Sequence, residues 1–154
     1  MIHHLEYQTI DVFKAIERES SQNFRAFRVS AAQQGADVDA LYQDMVVTAD
    51  EHASLLEQLE VVVSHIYQDI RGYSPEYFIS EEGFGFAIEA QDCNAGERLK
   101  SLFDKVVQSM LLAWWYNIRM PQLAQQYSAS ASDAMSAIRS IVIPVFGTRT
   151  LRYF

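Results

Sequence analysis

Four histidines, one cysteine and twenty acids are the residues with which this chain could do acid–base or metal chemistry. Their spacing argues against it. His52 and His65 fall on one predicted helix more than three turns apart, so they cannot share a metal ion. His3 and His4 are adjacent near the start, and no H-x-x-x-H, H-E-x-x-H or C-x-x-C occurs. The Glu-x-x-His pair of a di-iron bundle also fails, because Ala49 and Val62 stand three residues before His52 and His65. Gly83-Phe84-Gly85 is too little for a phosphate loop, and no serine sits in Gly-x-Ser-x-Gly. The acidic pair Glu81-Glu82 reads as solvated, and the histidines as surface or capping residues. Cys93, beside Asp92, has no sequence neighbour that would stabilise a thiolate. As the single cysteine it forms no internal disulfide, which excludes a secreted disulfide scaffold. The residues therefore offer no catalytic, cofactor-binding or metal constellation.

The densest cluster is aromatic: Trp114-Trp115-Tyr116, with Arg119 one turn on. Two readings stand side by side. One is core packing with the guanidinium stacked on a ring. The other is an aromatic–arginine anchor at a subunit interface, where Trp, Tyr and Arg are favoured. Adjacent helical residues point about 100° apart, so the two indoles are not expected to face one core. Trp114 continues the stripe Leu99, Leu102, Phe103, Val106, Met110, Trp114, Ile118; that spacing assigns Trp114 to the core and Trp115 to association.

Four long helices must position these residues, over about 11–32, 49–71, 95–119 and 121–142. Asp11 is the expected N-cap of the first. Val12, Phe13, Ile16, Phe24 and Phe27 form its apolar stripe, Ser20 to Asn23 interrupt it, and Gly35 suits a left-handed stop. Val38 to Met45 is consistent with a short helical turn. Thr48-Ala49-Asp50-Glu51 has the spacing of a capping box ahead of Leu55, Leu59, Val62, Val63, Ile66 and Ile70. Asn94 is the expected N-cap of the next helix, whose apolar residues run nearly all round. Such a helix is either the central core helix or faces a second partner. Met120-Pro121 breaks it from the last helix, where Ala124, Ala129, Ala131 and Ala134 permit close approach.

Residues 73–83 read as a loop, and Phe84 to Ile88 alternates as a strand. A lone strand is not stable, so its partner is Ile2 to Tyr7, the C-terminal Val145 to Phe154, or another subunit. The fold class is thus mainly α: one four-helix bundle-like domain, 1–154, with a strand or hairpin around 84–90 and an extended tail over 145–154.

The 154 residues carry a net charge of −8, which argues against a sequence-reading nucleic-acid binder. Residues 119–154 hold Arg119, Arg139, Arg149 and Arg152 against Asp133 alone, so a basic end follows an acidic body. The start has no basic stretch leading into an apolar run, so no signal peptide is expected. The most apolar stretch, Val106 to Met120, is broken by Gln108, Asn117 and Arg119 and is not expected to span a bilayer.

From Thr48 onward the order of features resembles the small head–tail connector (adaptor) proteins of tailed bacteriophages and prophages. The resemblance rests on the acid-rich helix start Thr48 to Glu51 and on a helix ending in Trp115-Tyr116-Asn117-Ile118-Arg119, a Trp-Tyr-x-x-Arg-like signature. An arginine-bearing tail completes it. The N-terminal helix, the pronounced strand Phe84 to Ile88 and the long last helix depart from that pattern. The resemblance implies a non-enzymatic structural subunit of a virion, assembled in the host cytoplasm, otherwise a cytoplasmic protein. It implies a homo-oligomeric ring with portal and tail proteins as neighbours and no cofactor. Trp115, Tyr116, Arg119, Arg149, Arg152 and Phe154 would form its interface. The alternative is a bacterial helical-bundle module binding a protein or small ligand, with a pocket near Trp114 and Tyr116. A metal-dependent hydrolase of the bundle kind is the least supported reading.

Overall fold

The computed structural model describes residues 1–73, 75–90 and 92–142; the expected tail, 145–154, lies outside them. The chain begins as a strand, β1 (Ile2–Gln8), and passes directly into α1 (Thr9–Gln33). α2 (Val38–Met45) packs back on α1, and a 3-10 turn over Ala49–Glu51 leads into α3 (His52–Ile70). After a second 3-10 turn, Arg71–Tyr73, come β2 (Glu76–Ile79), β3 (Gly83–Glu89), α4 (Ala95–Arg119) and α5 (Pro121–Ile141). The architecture is mainly helical with one small sheet, and the long helices end within three residues of their expected bounds.

Gly35 stops α1 as its sequence position suggests. Its φ is 76°, and the Ala36 N–H donates to Ala31 O at 2.9 Å while the Gly35 N–H donates to Ala32 O at 3.1 Å. Both are bonds of a Schellman motif. Three expected caps differ. α1 starts at Thr9 rather than Asp11, because the strand hands over directly and Glu82 O accepts from the Thr9 N–H at 3.1 Å. The capping box does not form: a 3-10 turn replaces the first α turn, and the Glu51 N–H goes to Thr48 O at 3.0 Å. Asn94 sits at the N-cap of α4 but caps nothing with its side chain; Asp92 Oδ1 accepts from the Asn94 N–H at 2.8 Å instead.

The sheet is antiparallel in the order β1-β3-β2. Of the three partners open to Phe84–Ile88, the N-terminal segment is the one used, with Leu5 opposite Phe86 and Tyr7 opposite Phe84. β2 lies where the sequence reads as loop; its four residues form a strand only because β3 offers them a ladder. Phe84, Phe86 and Ile88 turn inward, and the Phe86 ring stacks on Phe103 of α4 with centroids 4.8 Å apart. On the outer face, a Cβ at Gly85 would stand 2.6 Å from Leu5 O and would meet the Phe78 ring, so this position takes only glycine without displacing a strand.

Met120 alone joins α4 to α5, with Pro121 in the first turn of α5. At its far end, Val142 bridges Ala90, next to the start of α4, so α5 doubles back antiparallel to α4. Buried Ala124, Ala131 and Ala134 let the two helices approach along their length. α4 is the central core helix: Leu99, Phe103, Val106, Val107, Leu111 and Tyr116 are enclosed by this one chain. Of the two expectations for a helix apolar nearly all round, the central core helix is the one realised, with β1, α1, α2, α3 and α5 packed against it.

Candidate functional site

The aromatic–arginine signature is the first candidate, and the structure turns it inward. Trp115 is 2% exposed and Tyr116 is fully enclosed, whereas Trp114 is 37% and Ile118 is 88% exposed. This reverses the assignment of the two indoles and withdraws Trp115 and Tyr116 as surface anchors. The stripe itself does not leave its face: at about 100° per residue Trp114 points between Phe103 and Val107, and what changes along α4 is the side that the rest of the chain covers. The core face passes instead to Leu111, Leu112, Trp115 and Tyr116.

There the signature works as a pin. Trp115 Nε1 donates to Met45 O at 3.3 Å and the Tyr116 hydroxyl donates to the same oxygen at 2.8 Å. The Arg119 guanidinium lies 3.9 Å from the Trp115 ring centroid and donates through Nη1 to Trp115 O at 3.0 Å. α4 is thereby locked to the end of α2. Arg119 itself is exposed at the rim of this contact. Arg149, Arg152 and Phe154 lie outside the described residues.

A polar cluster that the sequence did not reveal lies alongside. Asn23 Nδ2 donates to the Tyr127 hydroxyl at 2.7 Å, and the Tyr127 hydroxyl donates to Glu19 Oε1 at 3.0 Å. Burial holds the Tyr116 and Tyr127 hydroxyls above the usual phenol range, with Glu19 adding to the effect. The available signal was the polar interruption at Ser20 to Asn23, which reads as exposure or a kink. In fact Ser20 is fully buried and its Oγ accepts from the Val47 N–H at 2.9 Å. Ser20→Ala leaves that buried N–H without an acceptor, and urea denaturation is expected to show a loss of about 1–3 kcal/mol.

The second candidate is an open groove of about 1450 Å³ where the β1–α1 junction, the β2–β3 turn and the first half of α4 meet. Glu6, Asp11, Glu81, Glu82, Glu97 and Asp104 line it, against Lys100. The Tyr7 hydroxyl donates to Lys100 O at 2.6 Å, which ties the strand to α4; burial, then Asp104, raises the pKa of that hydroxyl well above the ordinary value. The Thr9 hydroxyl, on a residue only 4% exposed in the groove lining, has no hydrogen-bond partner among the described residues. Such a surface favours cations and basic segments. Sequence reading left Glu81 and Glu82 as a solvated pair, because the other four acids come from segments that only the fold brings near.

The histidines stay apart: His3 packs on Gly96, His52 Nε2 is 2.6 Å from Glu17 Oε1, and His4 and His65 do not join either. Among the described residues, no three His, Cys, Asp or Glu side chains are placed to hold a metal ion, and no helix is long and apolar enough to cross a membrane. No protein-family model, no curated protein and no solved structure matches the chain.

Proposed function

We propose that this chain is a non-enzymatic structural subunit of a tailed-phage or prophage particle. It works as a homo-oligomeric ring of the head–tail connector kind, assembled in the host cytoplasm and meeting portal and tail proteins. The observation that carries this reading is the second half of α1. The helix buries one face through Ser20, keeps Asn23 and Phe24 partly covered, and from Arg25 to Gln33 leaves its side chains largely exposed beside α2. That is about 14 Å of helix with little covering it. Phe27 and Val29 on it, and Tyr42 on α2 beside it, are exposed. An arm with apolar side chains is what a ring subunit lays on its neighbour. The net charge of −8 suits a wall past which DNA slides without sticking.

Sedimentation and negative-stain microscopy of the full chain over a wide concentration range test the reading. Closed rings are expected. Phe27→Glu with Val29→Glu should leave the protein monomeric with unchanged helical circular dichroism, since exposed substitutions alter folding stability by about 0.5 kcal/mol or less. A parent chain that stays monomeric at every concentration, and also with portal rings present, would refute it. The alternative, a binding module, draws on the acidic groove. Its expected pocket near Trp114 and Tyr116 is not where the groove lies, because Tyr116 is sealed against Met45.

A further inference from the structure

We propose that the acidic groove receives the arginine-bearing C-terminal segment, residues 143–154, of a second copy of this chain. The inference rests on the ring reading and names the contact that would link one subunit to the next. Two observations carry it. The first is charge: six carboxylates and Lys100 line the groove, while residues 143–154 hold Arg149 and Arg152 and no acid. The second is the strand edge. β1 pairs with β3 on one side only, and Glu6, Tyr7 and Gln8 of β1 line the groove. An extended segment can add to such an edge through its backbone while its side chains reach the acids. Within residues 143–154, Thr150 to Tyr153 alternates polar and apolar residues, a pattern an added strand can use.

The position of Val142 favours a second copy over the same chain. Both backbone groups of Ala90 face Met1, the residue before β1, with its N–H on Met1 O at 3.1 Å and its carbonyl accepting from the Met1 amine at 3.2 Å. The Ala90–Val142 bridge therefore lies on the opposite side of β3, away from the β1 edge. The groove opens at the Gln8 end of β1, about 24 Å along the ladder from Ala90. A segment that leaves from Val142 spends about seven of its twelve residues covering that distance, and more in crossing to the β1 edge, before it meets its own groove, so too few remain to lie along that edge.

Two full-length variants test this. Arg149→Glu with Arg152→Glu alters the segment; Glu81→Arg with Glu82→Arg alters the groove at an exposed turn. Each alone should self-associate about tenfold more weakly than the parent at low salt, the effect fading as salt is raised. An equimolar mixture should regain association, because each intact segment meets an intact groove. Unchanged association in both variants overturns the inference, and so does a mixture that fails to recover. A labelled peptide of residues 143–154, titrated onto the Arg149/Arg152 variant, separates this inference from the ring reading. A parent that never associates while its groove binds the peptide overturns the ring and the second copy, leaving the groove as a receptor for basic segments. An associating parent whose peptide ignores the groove substitutions overturns the docking and leaves the ring.

Discussion

Trp115→Ala lowers folding stability by about 3–5 kcal/mol, the range for truncating a buried aromatic side chain. Trp115 is sealed between the start of the α2–α3 connection and Arg119, and its loss removes both the indole volume and the N–H bond to Met45 O. Arg119 would also lose the ring it stacks on. Trp114→Ala, one residue away, is expected to cost about 1 kcal/mol or less, because a partly exposed side chain leaves no closed cavity. Chemical denaturation of both variants reads the difference directly. Equal losses in the two would mean that the indoles share the core. A stable Trp115→Ala protein that merely fails to assemble would return Trp115 to the interface.

Phe86→Ala is expected to be comparably severe, about 3–5 kcal/mol. Phe86 joins the central strand to the central helix through the Phe103 stack, with Phe84 edge-on at 6.4 Å. Phe78 sits on the opposite face of the same sheet, half exposed over Gly85. Phe78→Ala should cost about 1 kcal/mol or less, since its ring covers little that water cannot already reach. A double-mutant cycle with Phe103→Ala should return a coupling of about 0.5–1.5 kcal/mol for the stacked pair. Coupling near zero, or a Phe78→Ala loss as large as that of Phe86→Ala, would contradict this arrangement of the sheet faces.

These pairs also mark what could be read in advance. The inward set Phe84, Phe86, Ile88 is legible, because a period of two leaves few choices for which face is buried. Gly35 and Pro121 are legible for the same kind of reason: one removes the steric cost of a left-handed residue, the other fixes the first turn of a helix. The candidate site was far less legible. Of the aromatic–arginine cluster, the residue types were evident and the direction was not. Apolar residues surround α4 in sequence, so composition around the helix cannot say which side each level presents to its neighbours.

The sequence by itself determined the long helices to within three residues at each end, the central strand and the acidic body with its basic end. Those features depend on bonds within a few residues and on a sum of charges. Only the tertiary structure decided that Ile2–Gln8 and Glu76–Ile79 flank β3, that Trp115 rather than Trp114 is sealed, and that six scattered acids share one groove. The physical reason is distance along the chain. Leu5 meets Phe86, and Tyr116 meets Met45, across roughly seventy to eighty residues. No local periodicity encodes such a pairing; it is settled when the whole set of apolar faces is buried at once.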